Sequence, residues 1–546
     1  MHASPLRVIV IGGVAGGMSA ATRLRRLNET ALITVLERGP YVSFANCGLP
    51  YHLSGTVGRD DLLLHTPDSL QARFNLDARV HHEALQIDRA ARTVTGRQTL
   101  TGEPFTLPYD RLILSPGAHA VRPPIPGIER AFPLRTVPDL DRLKAAVDTA
   151  GPHVVVIGAG FIGVEAAENL RAAGRHVTLL EAGPQVLPPL DPELAALVHQ
   201  ELDRQGVHVA TGAAVTRVTD THVHLHSGAC LPADVVVLAA GVRPSDQLAR
   251  DAGLDVATGG GILVNDHLQT SDPLIYAVGD AILTRDALDQ PAFVPLAWGA
   301  NRQGRVAADH LMGRPASYGP HPATAIARIF TLTAGSTGLN ERQVRAAGLT
   351  PTVIHTHPAS HAGYYPGAQG LHLKLVFDAA TGRIYGAQAV GGDGTDKRLD
   401  VLATALHAGV RADDLADLPL AYAPPYGSAK DPVNMLGYVA QNVMDGLTRP
   451  LQWHEALSSG RQLIDVRSAD EYRRGHLPGA VNIPLDTLRE QAPHLAPRVL
   501  VYCQVGQRGH TAALLLNQLG VDACTLSGGY LTWQAGQASL TPAAHP

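Results

Sequence analysis

The chain carries one pattern twice: a short apolar strand, a glycine-rich turn, a helix, and a second strand ending on glutamate. The first copy runs RVIVI (Arg7 to Ile11), GGVAGG, MSAATRLRRL and ALITVLE, closing on Glu37. The second is HVVVIGAGFIGVEAAENLRAAGRHVTLLE, closing on Glu181. Glycine in the turn lets the backbone approach a pyrophosphate, while the helix N-terminus offers N–H groups and positive potential. The terminal carboxylate suits ribose hydroxyls. Gly158, Gly160 and Gly163 fit the glycine spacing fully, whereas in the first copy Val14 replaces the middle glycine between Gly12 and Gly17. One such motif is weak evidence, and the bland reading is a doubly wound fold without nucleotide. Two in one chain point to two bound dinucleotides. Glu181 would repel a 2′-phosphate, and the following AGPQVLP has no Arg or Lys to receive one, so NADH is favoured over NADPH.

With 546 residues, 45% hydrophobic and 17% charged, the chain has room for three or four α/β domains. A net charge of −5 gives no footing for nucleic acid. Four scattered cysteines make no disulfide framework, and a reducing cytoplasm is expected. Arg7 and the apolar run to Ala21 have the outline of a signal peptide, but that run is the phosphate loop itself. No apolar run reaches membrane-span length, so no membrane association is expected, and no metal site is either.

Further segments resemble the flavoprotein disulfide reductase superfamily. LILSPGA, with Ser115 and Gly117, looks like the strand returning from the insertion of the NAD domain. TSDPLIYAVGDA resembles the second FAD motif, in which Asp280 accepts a bond from the ribityl chain; the plain alternative is an N-cap at Ala281. GVRPS, from Gly241, resembles the hinge between the two folds. The resemblance implies FAD on the first fold, held near Gly12, Gly17, Glu37 and Arg38, and NADH on the second. It sets a discontinuous FAD domain at 1–118 and 241–325, an NAD(P)H domain at 119–240 and an α+β dimerisation domain at 326–446.

Such enzymes usually reduce disulfides with a Cys-x4-Cys pair. Here SFANCGLPYHLSG holds Cys47 alone; the position five residues on is His52, and the next cysteine is Cys230. A lone redox thiol needs a sulfur or oxygen partner from outside. Two proline-bearing loops add phenols: HAGYYPGA with Tyr364 and Tyr365, and YAPPYGSAKDPVN with Tyr422 and Tyr426. A phenol beside a thiolate can donate a proton to a leaving thiolate, although ordinary loop packing at a dimer interface explains such tyrosines too.

Together these three segments resemble the coenzyme A-disulfide reductases and their persulfide-reducing relatives. The resemblance implies that Cys47, next to Ser43 and Asn46, forms a mixed disulfide with coenzyme A. It implies that Tyr364 and Tyr422 reach in from the other subunit of a homodimer, with Tyr365 and Tyr426 close enough to stay open as alternatives. Arg23, Arg26 and Lys430 match positions holding the coenzyme's phosphates and pantetheine, though RLRRL also reads as a solvated helix face.

After a linker at 447–452, residues 453–540 resemble a rhodanese domain: LIDVRSADEYRRGHLPGAVNIPL, VLVYCQVGQRG and LSGGYLTW. The strand VLVY ends in the loop Cys503 to Arg508 and turns into a helix, which aims backbone N–H groups at one sulfur and stabilises a persulfide. Arg508 adds positive charge. Asp465, Arg467 and His476 read as framework, and Cys230 and Cys524 as packed thiols. The combined expectation is transfer of sulfane sulfur from Cys503 to coenzyme A, then reduction of the coenzyme A persulfide at Cys47. Coenzyme A disulfide would react there by the same attack. An NADH oxidase or peroxidase cycling through sulfenic acid, and a sulfane-sulfur carrier or redox sensor, are the competing readings.

Overall fold

The computed structural model describes residues 4–540. The described residues form two units, 4–180 with 214–321, and 181–213 with 322–540.

The first unit is built on two parallel sheets. In one, the strands run in the order Ile275–Ala277, Arg111–Leu114, Arg7–Ile11, Leu32–Leu36 and Asp77–Arg79. Parallel strands are covered on both faces and therefore read as unbroken apolar runs. RVIVI and RLIL obey this, with Val8, Val10, Ile113 and Leu114 fully buried. Each such side chain contributes about 1.5–3 kcal/mol of burial. In the other sheet His176–Leu180, His153–Ile157, Val235–Leu238 and Phe132–Pro133 are parallel neighbours. The hinge segment forms the strand Val242–Pro244, antiparallel to Ala118–Ala120, with Gly241 at φ +97°. No helix among the described residues is long and apolar enough to cross a membrane.

The second unit carries a five-stranded antiparallel sheet in the order Ala325–Ile329, Leu332–Gly338, Ile384–Gly391, Leu371–Phe377 and Thr352–Thr356. Helices Thr395–His407 and Pro432–Met444 cover one face. A separate parallel sheet follows, ordered Pro450–Leu451, Asp522–Leu526, Arg498–Tyr502, Gln462–Asp465 and Val481–Asn482, with an apolar core on each side. Residues 450 and 451, read as linker, are thus its edge strand. Cys524 is buried in this sheet, as expected. Cys230 is not the packed thiol expected of it: it lies exposed at the start of the short strand Cys230–Pro232, where the side chain points off a three-stranded sheet.

Candidate functional site

The glycine turns show why their residues are fixed. Gly12 sits at φ +105°, and a Cβ there would come within 2.0 Å of the Ser115 carbonyl oxygen. A Cβ on Gly17 would lie 1.9 Å from the Gly12 oxygen, so strand and helix pack backbone to backbone. The second turn repeats both approaches, at Gly158 against Ala239 and at Gly163 against Gly158. Gly160 differs: nothing lies within 4 Å of the space a Cβ would fill. Helices Ala15–Leu27 and Phe161–Ala172 both begin without a side-chain cap, while Val137–Thr149 is closed by a capping box from Thr136. Helix N-termini without a side-chain cap, beside the open space at Gly160, fit a pyrophosphate as the acceptor of their N–H groups.

Glu37 is anchored within the first turn, accepting from the Gly13 N–H at 2.9 Å and the Gly39 N–H at 2.8 Å. Glu181 accepts from the Gly183 N–H at 2.7 Å in the same manner. Arg38 is exposed, and Gly117 turns the chain at φ +70°. Asp280 is no N-cap. It lies inside the single turn Gly279–Ala281, and its carboxylate meets Arg135 at 3.3 Å.

Cys47 sits in the turn Asn46–Gly48, ahead of the short helix Leu49–Leu53, and is exposed. The segment is tied to the first glycine turn because Ser43, in the left-handed region at φ +49°, donates its N–H to the Gly13 oxygen at 2.7 Å. Asn46 donates to the Arg135 carbonyl at 3.0 Å. Arg135 therefore touches both flanks of the site, and no motif marked it. His52, where a second cysteine would stand, bonds the Val57 carbonyl instead. All four cysteines are free. Tyr51 donates to Glu165 at 3.2 Å. Burial, then the Glu168 charge, pushes the Glu165 carboxyl up to about 7 against the Tyr51 bond, and burial beside this carboxylate pushes the Tyr51 phenol up to about 12. Although Cys47 is exposed, the protein packed around its sulfur desolvates the thiolate and raises the Cys47 thiol as well, with Glu165 and Asp280 adding to the effect and Arg135 opposing it. The free protein thus holds Cys47 toward the thiol form, and Arg135 is the nearby charge working the other way.

The arginines of RLRRL have three fates. Arg23 is no solvated side chain: it makes two bonds to Asp309, at 2.9 and 2.6 Å. Arg25 is buried and donates to five carbonyl oxygens, among them those of Phe74 and Ala31. Arg26 alone is exposed as a helix-face residue would be.

In the second unit the tyrosine loops converge, and their members separate. The Tyr364 and Tyr422 hydroxyls are 3.2 Å apart. Tyr365 turns its ring edge-on to His361 instead, and Tyr426 joins Tyr422, His361 and Lys397 around a cavity of about 490 Å³. Lys430 lies over the Tyr438 ring. His361 and Lys397 lacked any sequence signal beyond their proximity to the loops.

Cys503 follows the strand Arg498–Tyr502 and is fully covered. Gly506 takes φ +96° as the N-cap of helix Gln507–Gln518, which closes the loop. Arg508 bonds to both Glu471 oxygens, at 2.8 and 2.6 Å, so its charge is shared with a carboxylate. Arg508, its bonds outweighing partial burial, brings the Glu471 carboxyl down to about 2. Arg467 is framework in being buried against Asp465, yet it also reaches the loop, donating to the Gln504 side chain at 2.7 Å. Arg467, Arg474, Gln504 and Tyr530 line a cavity of about 390 Å³ over the loop. His476 is stacked on Tyr472, as a framework residue.

Residues 6–304 match the pyridine nucleotide-disulphide oxidoreductase family, 324–431 its dimerisation domain and 450–536 the rhodanese-like domain. A coenzyme A disulfide reductase of Staphylococcus haemolyticus is 35% identical over 441 residues, which is 80% of this chain and 100% of that protein. The crystal structure of reduced Bacillus anthracis CoADR-RHD is 45% identical, with a TM-score of 0.95 over 97% of this chain and 98% of that one. The structure of an NAD-dependent persulfide reductase from A. fulgidus is 36% identical, with a TM-score of 0.91 over 97% of this chain and 100% of that one.

Proposed function

This chain belongs to the pyridine nucleotide-disulphide oxidoreductase family and carries a rhodanese-like domain, and from that premise we propose that it reduces coenzyme A persulfide and coenzyme A disulfide at Cys47. The observation that carries the reading is an exposed Cys47 with no thiol of its own chain to pair with. A coenzyme A sulfur then supplies the partner, as the names of the relatives suggest.

When bound, FAD would provide the route by which the electron pairs of NADH reach this sulfur. The Cys47 thiolate attacks the inner sulfur of coenzyme A persulfide; the S–S bond breaks, hydrosulfide leaves, and a Cys47–coenzyme A disulfide forms. One electron pair and a proton return Cys47 and the free coenzyme thiol. With coenzyme A disulfide the first leaving group is the coenzyme thiolate. Tyr364 and Tyr422 are the proton donors to that leaving sulfur, brought to the Cys47 of a partner subunit in a homodimer. Arg26, Ser43, Asn46 and Lys430 are proposed contacts of the coenzyme, and Arg23 joins them only by giving up Asp309. Glu181 supports NADH over NADPH, and the reducing cytoplasm is the proposed setting. Cys503 accepts sulfane sulfur and hands it to coenzyme A.

The test is steady-state NADH oxidation with coenzyme A disulfide, coenzyme A persulfide, polysulfide and oxygen side by side, in the native chain and in Cys503→Ser. Turnover with the coenzyme A substrates that survives Cys503→Ser, together with loss of sulfur transfer from thiosulfate, is the expected result. Turnover with oxygen alone sinks the reading.

A further inference from the structure

The corner that backs the Cys503 loop is held from outside the rhodanese-like domain. Tyr530 donates its N–H to the Cys503 oxygen at 2.8 Å, and Leu531 donates to the Gln504 oxygen at 3.1 Å. Gly529 precedes them at φ +65°, so close that a Cβ would lie 2.4 Å from the Cys503 oxygen and 2.8 Å from the Gly506 nitrogen. Any displacement of residues 527–531 therefore moves the sulfur loop.

That corner rests on the edge strand Thr352–Thr356 of the antiparallel sheet. His355 is buried with its Nε2 2.9 Å from Glu193 and its Nδ1 3.0 Å from the Ser527 hydroxyl. A carboxylate only accepts, so Nε2 carries its hydrogen. The Ser527 oxygen also accepts from the His355 backbone N–H at 3.1 Å, so ring and main chain of one residue both hold it. Glu193 is itself fixed by the buried Lys374 at 2.6 Å and by the Trp453 indole N–H at 3.3 Å. Two residues on, His357 bonds Thr532 at 2.7 Å through Nε2. A Cβ on Gly528 would strike both imidazole-bearing residues and Thr532, so the contact is close-packed.

We infer that His355, with His357 beside it, is a positioning residue for sulfur transfer: the antiparallel sheet's edge strand holds the Ser527–Gly529 corner, and the corner holds the Cys503 loop. This rests on the reading of Cys503 as the sulfur carrier. In the step concerned, the Cys503 thiolate attacks the outer sulfur of thiosulfate. The bond to the inner sulfur breaks, sulfite leaves with the electron pair, and the protein keeps a persulfide; cyanide removes that sulfur as thiocyanate and restores the thiolate.

The experiment uses the full chain as His355→Ala, His355→Gln, Ser527→Ala and the double variant His355→Ala/Ser527→Ala. It measures thiosulfate-to-cyanide transfer, the rate of Cys503 alkylation by iodoacetamide, and NADH oxidation with coenzyme A disulfide. His355→Ala should lower kcat for transfer about 10-fold, the scale of one buried hydrogen bond. KM for thiosulfate should stay within about two-fold, because the mouth residues Arg467 and Arg474 are untouched. His355→Gln, which can donate to Glu193 and accept from Ser527, should recover most of the loss. The double variant should be no worse than the poorer single one, as expected for two ends of one contact, and NADH oxidation should not change. Unaltered kcat in His355→Ala overturns the inference, and so do additive losses accompanied by a fall in NADH oxidation. If the native chain transfers no sulfur, the carrier reading fails. Slower Cys503 alkylation in His355→Ala would then still support the positioning role, and an equal rate would overturn it.

Discussion

The phenolic oxygens of Tyr364 and Tyr422 stand 3.2 Å apart, joining two loops separated by 58 residues. Both side chains are exposed, so the pair faces outward rather than into the core of its own unit. Its hydrogen bond to Tyr422 is the main reason the Tyr364 phenol is held above its usual range, which keeps it protonated near neutrality. In the proposed reaction this pair is the proton donor to the leaving sulfur.

Tyr364→Phe and Tyr422→Phe should each lower kcat with coenzyme A persulfide by about 10–100-fold, the lower range of general-acid effects. Because the hydroxyls act as a unit, the double variant should lose little more than either single one. Stopped-flow measurement of flavin reduction by NADH should be unchanged; a matching loss there would show that the tyrosines act elsewhere.

At the second glycine turn, Gly160→Val and Gly158→Ala should part company. Gly160 has extended backbone angles and open space around it, so valine should alter stability by less than about 0.5 kcal/mol. It fills the space proposed for the pyrophosphate, and KM for NADH should rise by about 10-fold or more, an effect of 1.4 kcal/mol. Gly158→Ala meets the Ala239 carbonyl at 2.3 Å in a left-handed conformation and should instead lower Tm.

Burial is the main cause that holds the Cys47 thiol up and Glu165 adds to it, so Glu165→Gln should move the alkylation profile of Cys47 to lower pH. The stability effect has its own sign. Folding raises the Glu165 carboxyl from 4.5 to about 7, so its contribution is complete below pH 4.5 and is lost as pH rises to 7. Denaturant titrations of the flavin-free protein should show Glu165→Gln gaining roughly 1–3 kcal/mol on the native chain between those limits. A gain at acid pH would be the wrong sign.

Arg508 is partly neutralised by Glu471, and releasing it should help Cys503. Glu471→Gln should speed sulfur loading from thiosulfate a few-fold, whereas Arg508→Gln should slow it by about 10-fold, the effect of one charged hydrogen bond. Rapid-quench mass analysis of persulfide on Cys503 reads both, and equal effects of the two variants would contradict the pairing.

His372 and His357 predict weakness of the second unit in acid. Burial brings His372 down to about 4 and His357 well below its usual range. Stability contributed by the neutral rings is complete above pH 6.5 and is lost as pH falls toward 4. His372→Phe should flatten the fall in stability between those values by up to about 3 kcal/mol, read by denaturant midpoints at each pH. An unchanged slope would exclude His372 as its source.

The two glycine turns, their flanking strands, the solitary Cys47 and the loop from Cys503 to Arg508 were legible from local sequence. Each depends on backbone geometry within a few residues: apolar runs mark doubly covered strands, and glycine marks places where backbone meets backbone. The partners of side chains were not legible. Arg23 engages Asp309, 286 residues away, and His355 engages Ser527, 172 residues away. Cys230 looked no different from Cys524 in sequence, but one lies exposed on a short strand and the other inside a sheet. Sequence alone determined that no cysteine stands five residues after Cys47 and which two turns bring backbone against backbone through glycine. Only the tertiary structure decided that Tyr364 rather than Tyr365 meets Tyr422, and that the edge strand Thr352–Thr356 carries the corner behind Cys503. Such choices depend on which distant surfaces pack together, and no local periodicity encodes them.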